Sequence, residues 1–209
     1  MKNNYLVIAA GLVVLLLGRH ETALGAGDVE AGKAKSVTCV ACHGADGKGI
    51  GPEFPNLAGQ VPGHIAKQLA DYKSGEKRNN PIMAGMVAAL SEQDMQDLDA
   101  YYSSLTPIYG NVSEEELTSD ELETGEKLYR GGDMKLGIAA CIACHGPAGH
   151  GIPPRFPRVA GQSTQYLEAQ LLAFKSGQRS NDGDVMTRIA FLLSEQQIKA
   201  LSKYMHAIK

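Results

Sequence analysis

Apolar side chains recur at intervals of three and four residues in four separate segments of the chain. In the first segment, residues 63–75, this spacing places Ile65, Leu69 and Tyr72 on one face and stops at Gly75. The other three segments are residues 91–105, 166–177 and 194–207. The segment at 91–105 begins with a serine followed by acidic residues, which is typical of a helix N-terminus. Because no stretch alternates in the manner of a strand, the sequence predicts an all-α protein.

The second half of the chain repeats the first half. With an offset of 102 residues, CVACHG at 39–44 aligns with CIACHG at 141–146. The register extends to the pairs 53–60 and 155–162, 73–75 and 175–177, and, after one inserted glycine, 90–93 and 193–196. A repeat of this extent indicates a tandem duplication of one folding unit.

The duplication predicts two domains, at residues 26–106 and 120–209. Residues 107–119, which carry Pro, Gly, Asn and a group of acidic side chains, are predicted to be the linker between them. A unit of about 85 to 90 residues with short helices and long Gly- and Pro-containing loops has a thin core. Each domain is therefore expected to pack around a further group.

The N-terminus carries a short apolar run at residues 6–17, preceded by Lys2 and followed by a polar break. A membrane-spanning helix needs about 20 apolar residues, whereas a signal peptide needs fewer. Small residues around Gly25 fit a cleavage site, so residues 1–25 are predicted to be a signal peptide and the mature protein to be periplasmic. The alternative is an uncleaved membrane anchor.

All four cysteines lie in two C-x-x-C-H motifs. The residues are Cys39, Cys42 and His43 in the first half, and Cys141, Cys144 and His145 in the second. Two thiols one helical turn apart can bind the two vinyl groups of a haem, and the adjacent histidine then faces the iron. Zinc, a disulfide and a redox dithiol are the alternatives. Zinc sites commonly use cysteine pairs 15–20 residues apart, and no βαβ pattern accompanies the motifs, so two covalent haem c groups are predicted.

A methionine is the expected sixth ligand of each iron, because histidine and methionine together suit electron transfer. Among the seven methionines, only Met83 and Met186 occupy equivalent positions in the two halves. Met86 aligns with Ile189 and is the competing candidate in the first half. The alternative interpretation is that these methionines belong to the core. We predict Met83 and Met186 as ligands, and two six-coordinate irons would leave no open position for a substrate.

Three further histidines, His64, His150 and His206, have no histidine at the equivalent position of the other half. They are weak candidates for ligands. We expect them at the surface.

At this level of detail the chain resembles the dihaem cytochromes c4. The resemblance covers essentially all of the chain after residue 25, and it includes AGDVEAGKA, FPNLAGQ, FPRVAGQ, LYRGG and SNDGDVM. It implies two tandem cytochrome c-like domains, each made of a few short helices around a haem, with the haem propionates of the two domains near each other. It also implies that His43 and His145 donate hydrogen bonds to the carbonyls of Pro55 and Pro157.

The predicted function is that of a periplasmic carrier of single electrons, not an enzyme. The resemblance implies partners in the respiratory membrane, namely a quinol-oxidising donor and a terminal oxidase. Membrane association is expected to be peripheral or absent, and the protein is expected to be a monomer. Two alternatives stay open: a dihaem electron-accepting subunit of a flavocytochrome dehydrogenase, and a dihaem peroxidase, which would need an open iron.

The two halves differ in charge, although the net charge of the whole chain is only −3. Residues 26–110 carry 7 basic and 10 acidic side chains, whereas residues 125–209 carry 11 basic and 6 acidic ones. The halves are expected to meet different partners, an ordinary solvated surface being the alternative. Because reduction adds an electron, the haem of the more basic half is predicted to have the higher potential. No nucleic-acid recognition motif accompanies the basic half, so nucleic acid is not an expected partner.

Overall fold

The computed structural model describes residues 27–113 and 119–209, so the predicted signal peptide and part of the predicted linker lie outside the described residues. Within these ranges each half contains five α-helices. They are α1 (Val29–Lys35), α2 (Val40–His43), α3 (His64–Ser74), α4 (Pro81–Val87) and α5 (Glu92–Ser104), then α6 (Asp120–Gly131), α7 (Ile142–His145), α8 (Thr164–Lys175), α9 (Val185–Leu192) and α10 (Glu195–Ala207). The described residues contain isolated β-bridges but no strand, which confirms the all-α prediction.

The longer helices begin and end close to where the sequence pattern placed them. Ser91 caps α5 in a reciprocal capping box with Asp94, and Ser194 caps α10 in the same way with Gln197. Gly75 ends α3 in the left-handed conformation that glycine adopts without strain.

The first and last helices of each half cross at a glycine. A Cβ atom on Gly32 of α1 would lie 1.9 Å from the carbonyl oxygen of Asp97 on α5. In the second half, a Cβ atom on Gly125 of α6 would lie 2.2 Å from the carbonyl oxygen of Ala200 on α10. Only glycine allows the two backbones of each pair to approach so closely.

Each half has a small apolar core beside its C-x-x-C-H motif. In the first half the core consists of Ile65, Leu98, Tyr101 and Tyr102, and Cys39 packs against it. The core of the second half has twelve buried members, and the side chains packed against it include Cys141 and Met186. The motifs therefore lie at the boundary of the packed interior of each half.

Two glutamines join the halves by reciprocal hydrogen bonds. Gln60 accepts from the backbone N–H of Arg158 at 2.7 Å and donates to the Arg158 carbonyl at 3.1 Å. Gln162 accepts from the backbone N–H of Asn56 at 2.8 Å and donates to the Asn56 carbonyl at 2.9 Å. We call these four residues the glutamine clamp. Because the glutamines occupy equivalent positions of the repeat, the clamp is pseudo-twofold symmetric.

The start of the predicted linker packs closely on both halves. A Cβ atom on Gly59 would lie 2.4 Å from a side-chain carbon of Pro107, and one on Gly161 would lie 2.1 Å from the carbonyl oxygen of Ile108. This part of the chain therefore passes directly over the clamp and adds to the contact between the halves.

Candidate haem sites

Each C-x-x-C-H motif forms a single helical turn. Cys39 lies at the N-terminus of α2, and the His43 N–H donates to its carbonyl at 3.0 Å. In the second half, the N–H of His145 donates to the carbonyl of Cys141 at 2.9 Å. All four cysteines are free thiols and partly buried. The turn thus presents two thiols and one imidazole from the same short helix.

Both motif histidines are buried and held by a proline carbonyl. The Nδ1 atom of His43 lies 3.0 Å from the Pro55 carbonyl oxygen, and that of His145 lies 2.8 Å from the Pro157 carbonyl oxygen. Burial lowers the pKa of both histidines, although the bond to the proline opposes this effect. A neutral ring that donates from Nδ1 keeps the lone pair of Nε2 for a metal.

The loop that carries each proline is fixed by a glycine after the motif. Gly47 has a φ of +76°, and its carbonyl accepts from the N–H of Leu57 at 2.8 Å. The carbonyl of Gly149, with a φ of +65°, accepts from the N–H of Val159 at 2.8 Å. In each half this bond returns the chain beside the motif and positions the proline carbonyl at the histidine.

The predicted methionine ligands lie on short helices that pack against the central helix of each half. Met83 is on α4, whose N-terminus is capped by Asn80, and α4 packs on α3. Met186 is on α9, which packs on α8. Both methionines are partly buried, whereas the side chain of the competitor Met86 is 44% exposed. Met186 contacts the same core as Cys141, while Met83 lies outside the core cluster of its half.

The residues around both motifs fit a covalently bound haem. Each offers two unbridged thiols and one oriented imidazole, and each half also exposes several large apolar side chains. In the first half these include Ile50, Ile82 and Met86, and in the second half Ile152, Phe191 and Leu192. Within the described ranges, no three His, Cys, Asp or Glu side chains converge as a protein-bound metal ion such as zinc would need. The donor set therefore favours haem over zinc.

The expectation for the remaining histidines holds only in part. His150 is exposed, as predicted, but His64 and His206 are partly buried. The Nδ1 atom of His206 lies 2.8 Å from the carbonyl oxygen of Gln162. The surface prediction was wrong for these two residues because contacts near the junction of the halves cover them.

The sequence analysis did not identify Arg78 or Arg179 as candidate functional residues. In the structure Arg78 is buried and Arg179 is partly buried. Both follow the K-S-G tripeptide of their half within a few residues. A basic residue after a helix C-terminus is ordinarily solvated, so the sequence alone gave no reason to select them.

None of the helices in the described part of the chain is both long and apolar enough to cross a bilayer.

Comparison with known proteins agrees with this geometry. The cytochrome c family profile matches residues 29–106 and again residues 122–209. Cytochrome c4 from Azotobacter vinelandii is 42% identical over 207 residues, covering 94% of this chain and 96% of that protein. The thiosulfate dehydrogenase electron acceptor of Stutzerimonas stutzeri (strain A1501) is 37% identical over 209 residues, covering 98% of this chain and 95% of that protein. The crystal structure of reduced recombinant cytochrome c4 from Pseudomonas stutzeri matches with a TM-score of 0.81 and 41% identity, covering 88% of this chain and 100% of that chain.

Two matches to one family profile, together spanning most of the chain, define a tandem c-type cytochrome. The chain belongs to the dihaem cytochrome c4 family, which confirms the resemblance seen in the sequence. The spacing of Cys39 and Cys42, and of Cys141 and Cys144, indicates two covalently bound haem c groups. The protein is accordingly a dihaem electron carrier.

Proposed function

We propose that this protein carries single electrons in the periplasm between respiratory complexes, from a quinol-oxidising donor toward a terminal oxidase. The observation that carries the proposal is the duplicated site, in which both motif histidines have the same buried proline contact. Two equivalent sites with the same histidine contact suit transfer of electrons between two like centres. The predicted N-terminal signal peptide supports the periplasmic location.

In this proposal the side chains of the motifs and of α4 and α9 hold the haems. Cys39, Cys42, Cys141 and Cys144 would hold the haems through thioether bonds, and His43 with Met83 and His145 with Met186 would bind the two irons. When bound, the haem supplies one-electron redox chemistry at its iron. The equivalent positions of Met83 and Met186 in the repeat, and the exposure of Met86, support this choice of methionines.

The protein contributes orientation and exclusion of water. The carbonyls of Pro55 and Pro157 fix the ring planes of His43 and His145 and keep Nδ1 protonated. The edges of Phe54 and Phe156 lie against these rings, at centroid distances of 6.3 and 6.4 Å. A ligand held rigidly in both oxidation states reduces the rearrangement that accompanies electron transfer.

The absorption spectrum of the haem-loaded protein tests the ligand assignment. We expect two haems per chain and a full-strength far-red band of ferric iron bound to a methionine thioether. Met83→Leu and Met186→Leu should each remove half of this band, because each removes one thioether. Met86→Leu is the matched control and should leave the band intact.

Loss of the band in Met86→Leu would transfer the ligand role in the first half to Met86. A high-spin component in the wild-type spectrum would show an open iron and favour peroxidase chemistry instead. The first result would overturn the choice of Met83, and the second would contradict the proposed carrier with two His/Met sites.

A second candidate function is electron acceptance from one particular dehydrogenase. The similarity to a thiosulfate dehydrogenase electron acceptor over nearly the whole chain favours this candidate over a flavocytochrome subunit. Anaerobic mixing with a purified thiosulfate dehydrogenase and thiosulfate distinguishes the two proposed roles. Rapid reduction of both haems would favour the dedicated acceptor, and reduction by a quinol-oxidising complex alone would favour the respiratory carrier. A monomer is expected in either case, which light scattering would check.

A further inference from the structure

Two arginines, one from each half, lie together at the junction of the halves. Arg78 donates to Gln68 through Nη1, and through Nη2 to the Tyr166 hydroxyl at 2.8 Å and to the Gln170 Oε1 at 3.3 Å. Arg179 donates to the same two amide oxygens, at 2.8 Å to Gln170 and at 3.1 Å to Gln68. We call this group the arginine pair.

The arginine pair follows the pseudo-symmetry of the molecule. The guanidinium of Arg78 lies over the Tyr72 ring at 4.3 Å, and that of Arg179 lies over the Phe174 ring at 4.4 Å. The two residues also form an antiparallel β-bridge with each other. Each arginine lies in the loop that leads into the methionine-bearing helix of its own half, α4 or α9. The pair is therefore attached to both haem sites.

Hydrogen-bond donors outnumber acceptors around the pair. The two glutamine oxygens accept four of the six hydrogen bonds that the guanidinium groups donate, and the Tyr166 hydroxyl and the Asn181 Oδ1 accept the other two. The Oε1 of Gln68 also accepts from Asn181 at 2.8 Å. Arg78 is 5% exposed, and its buried Nε has no hydrogen-bond partner. Among residues 27–113 and 119–209, neither guanidinium has a carboxylate within ion-pair distance. Asp182 is the nearby acid that raises the pKa of Arg179, but it makes no ion pair with it. Two adjacent cations without an anion in direct contact are costly to bury.

The positive charge of the arginine pair lowers the pKa of neighbouring side chains. Burial and the nearby Arg179 and Arg78 lower the pKa of His64 to about 3. Burial and the neighbouring Arg78 lower the pKa of Arg179 to about 10. Burial alone would raise the pKa of Tyr166, but the two arginines outweigh it and the pKa is lowered.

A carboxylate is the group that completes this arrangement, because the planar guanidinium fork matches its two oxygens. Each haem brings two propionate carboxylates, and the pair lies on the loops of both sites. We propose that Arg78 and Arg179 form one shared site for haem propionates at the junction of the halves, so that each arginine raises the reduction potential of both haems. This inference rests on the proposed function only in requiring two bound haems.

Replacement of each arginine tests the shared site. In Arg78→Gln and in Arg179→Gln, loss of a positive charge disfavours the added electron, so both potentials should fall. We expect about a tenfold decrease in the equilibrium constant for reduction, which is about 59 mV for one electron. Arg78→Lys and Arg179→Lys keep the positive charge, so the potentials of these variants should fall less. They replace the glutamine variants in the test if a glutamine variant does not fold. The potentials are read by spectroelectrochemical titration, and resonance Raman bands of the propionates report their hydrogen bonding.

Arg130→Gln is the matched control, because Arg130 is half-exposed and pairs with Glu126 at 2.7 Å. It should leave both potentials and the propionate bands near their wild-type values. Unchanged potentials in the Arg78 and Arg179 variants, or a change confined to the haem of the mutated half, would overturn the shared site. A wild-type potential that depends on added inorganic phosphate, and no longer does so in Arg78→Gln, would assign the pair to a free anion and also overturn it. A haem-to-protein ratio of two with an intact far-red band separates these outcomes from a failure of the proposed function.

Discussion

Asp97 is the residue on which the first helix of the N-terminal half depends. Its carboxylate accepts from the backbone N–H of Asp28 at 2.9 Å, from Gln93 at 2.8 Å and from the Lys35 ammonium at 3.0 Å. The backbone bond from Asp28 is the main cause that lowers the pKa of Asp97, and the bonds from Gln93 and Lys35 add to it. One carboxylate thus ties both ends of α1 to α5.

Low pH should decrease the free energy of unfolding of the N-terminal half, because Asp97 becomes protonated. Because the folded state holds the pKa below its ordinary value of 3.8, the stabilisation is complete above that value and is lost as pH falls through the folded pKa. We expect the free energy of unfolding of Asp97→Asn to be lower than that of wild type at pH 7 and to depend less on pH below 4. Urea unfolding followed by circular dichroism between pH 2.5 and about 7 measures both quantities.

The exposed Glu76 provides the comparison, since Glu76→Gln removes a carboxyl group that has no hydrogen bond to another residue in the described structure. The free energy of unfolding of Glu76→Gln should depend on pH as that of wild type does. If Asp97→Asn and wild type lose stability in parallel as the pH falls, Asp97 is not the group responsible.

Single-residue chemistry was largely predictable where the sequence repeats itself. The two C-x-x-C-H motifs and the methionine pair emerge from alignment of the halves, although the methionine ligands remain a prediction. The arginine pair does not emerge in this way. At the constant offset of 102, Arg78 aligns with Ser180 and Arg179 aligns with Lys77. Only the packing of the two halves, which connects residues about a hundred positions apart, makes the arginines equivalent.

At the scale of elements, the crossing of two helices in each half depends on one glycine. Gly32→Ala and Gly125→Ala place a methyl group 1.9 Å and 2.2 Å from a carbonyl oxygen, far closer than van der Waals contact. The two helices of each pair must therefore move apart. We expect each substitution to lower the free energy of unfolding by about 3 kcal/mol or more. Calorimetry of the haem-loaded variants measures the change.

Gly131 lies near the end of α6, the helix that also carries Gly125. Its replacement distinguishes the effect of a steric clash from the effect of helix propensity. A Cβ atom there would have nothing within 4 Å, so Gly131→Ala should be neutral or stabilise by up to about 1 kcal/mol. Equal losses in Gly131→Ala and Gly125→Ala would show that the close crossing is not the cause.

Periodicity predicted four of the five longest helices, but neither the twelve-residue α6 nor the short helices. Helices α3, α5, α8 and α10 span three turns or more, so an apolar face and a cap are visible in the sequence. Helices α2, α4 and α7 have seven residues or fewer, and an amphipathic period cannot be distinguished over so short a length. These short helices carry most of the candidate ligands, so the element pattern alone could not locate the sites.

For the whole molecule, the glutamine clamp makes the halves depend on each other. We expect wild type to unfold in one calorimetric transition, because the two hydrogen bonds that each glutamine makes to the other half are lost together when the halves separate. The double variant Gln60→Leu, Gln162→Leu should lose about 2–4 kcal/mol and show two separate transitions. The exposed Gln165, replaced by Leu, is the matched control and should retain a single transition.

Two well-separated transitions in the wild-type protein would show instead that the clamp does not couple the halves.

The clamp also bears on how this chain arose. A contact in which equivalent residues of two units exchange the same bonds has the symmetry of a homodimer built on a twofold axis. The duplication is therefore best explained as the fusion of two identical subunits that already recognised each other through these bonds. Once a tether kept the copies together, each could accumulate its own mutations without losing its partner. The opposite net charge of the two halves fits such independent divergence.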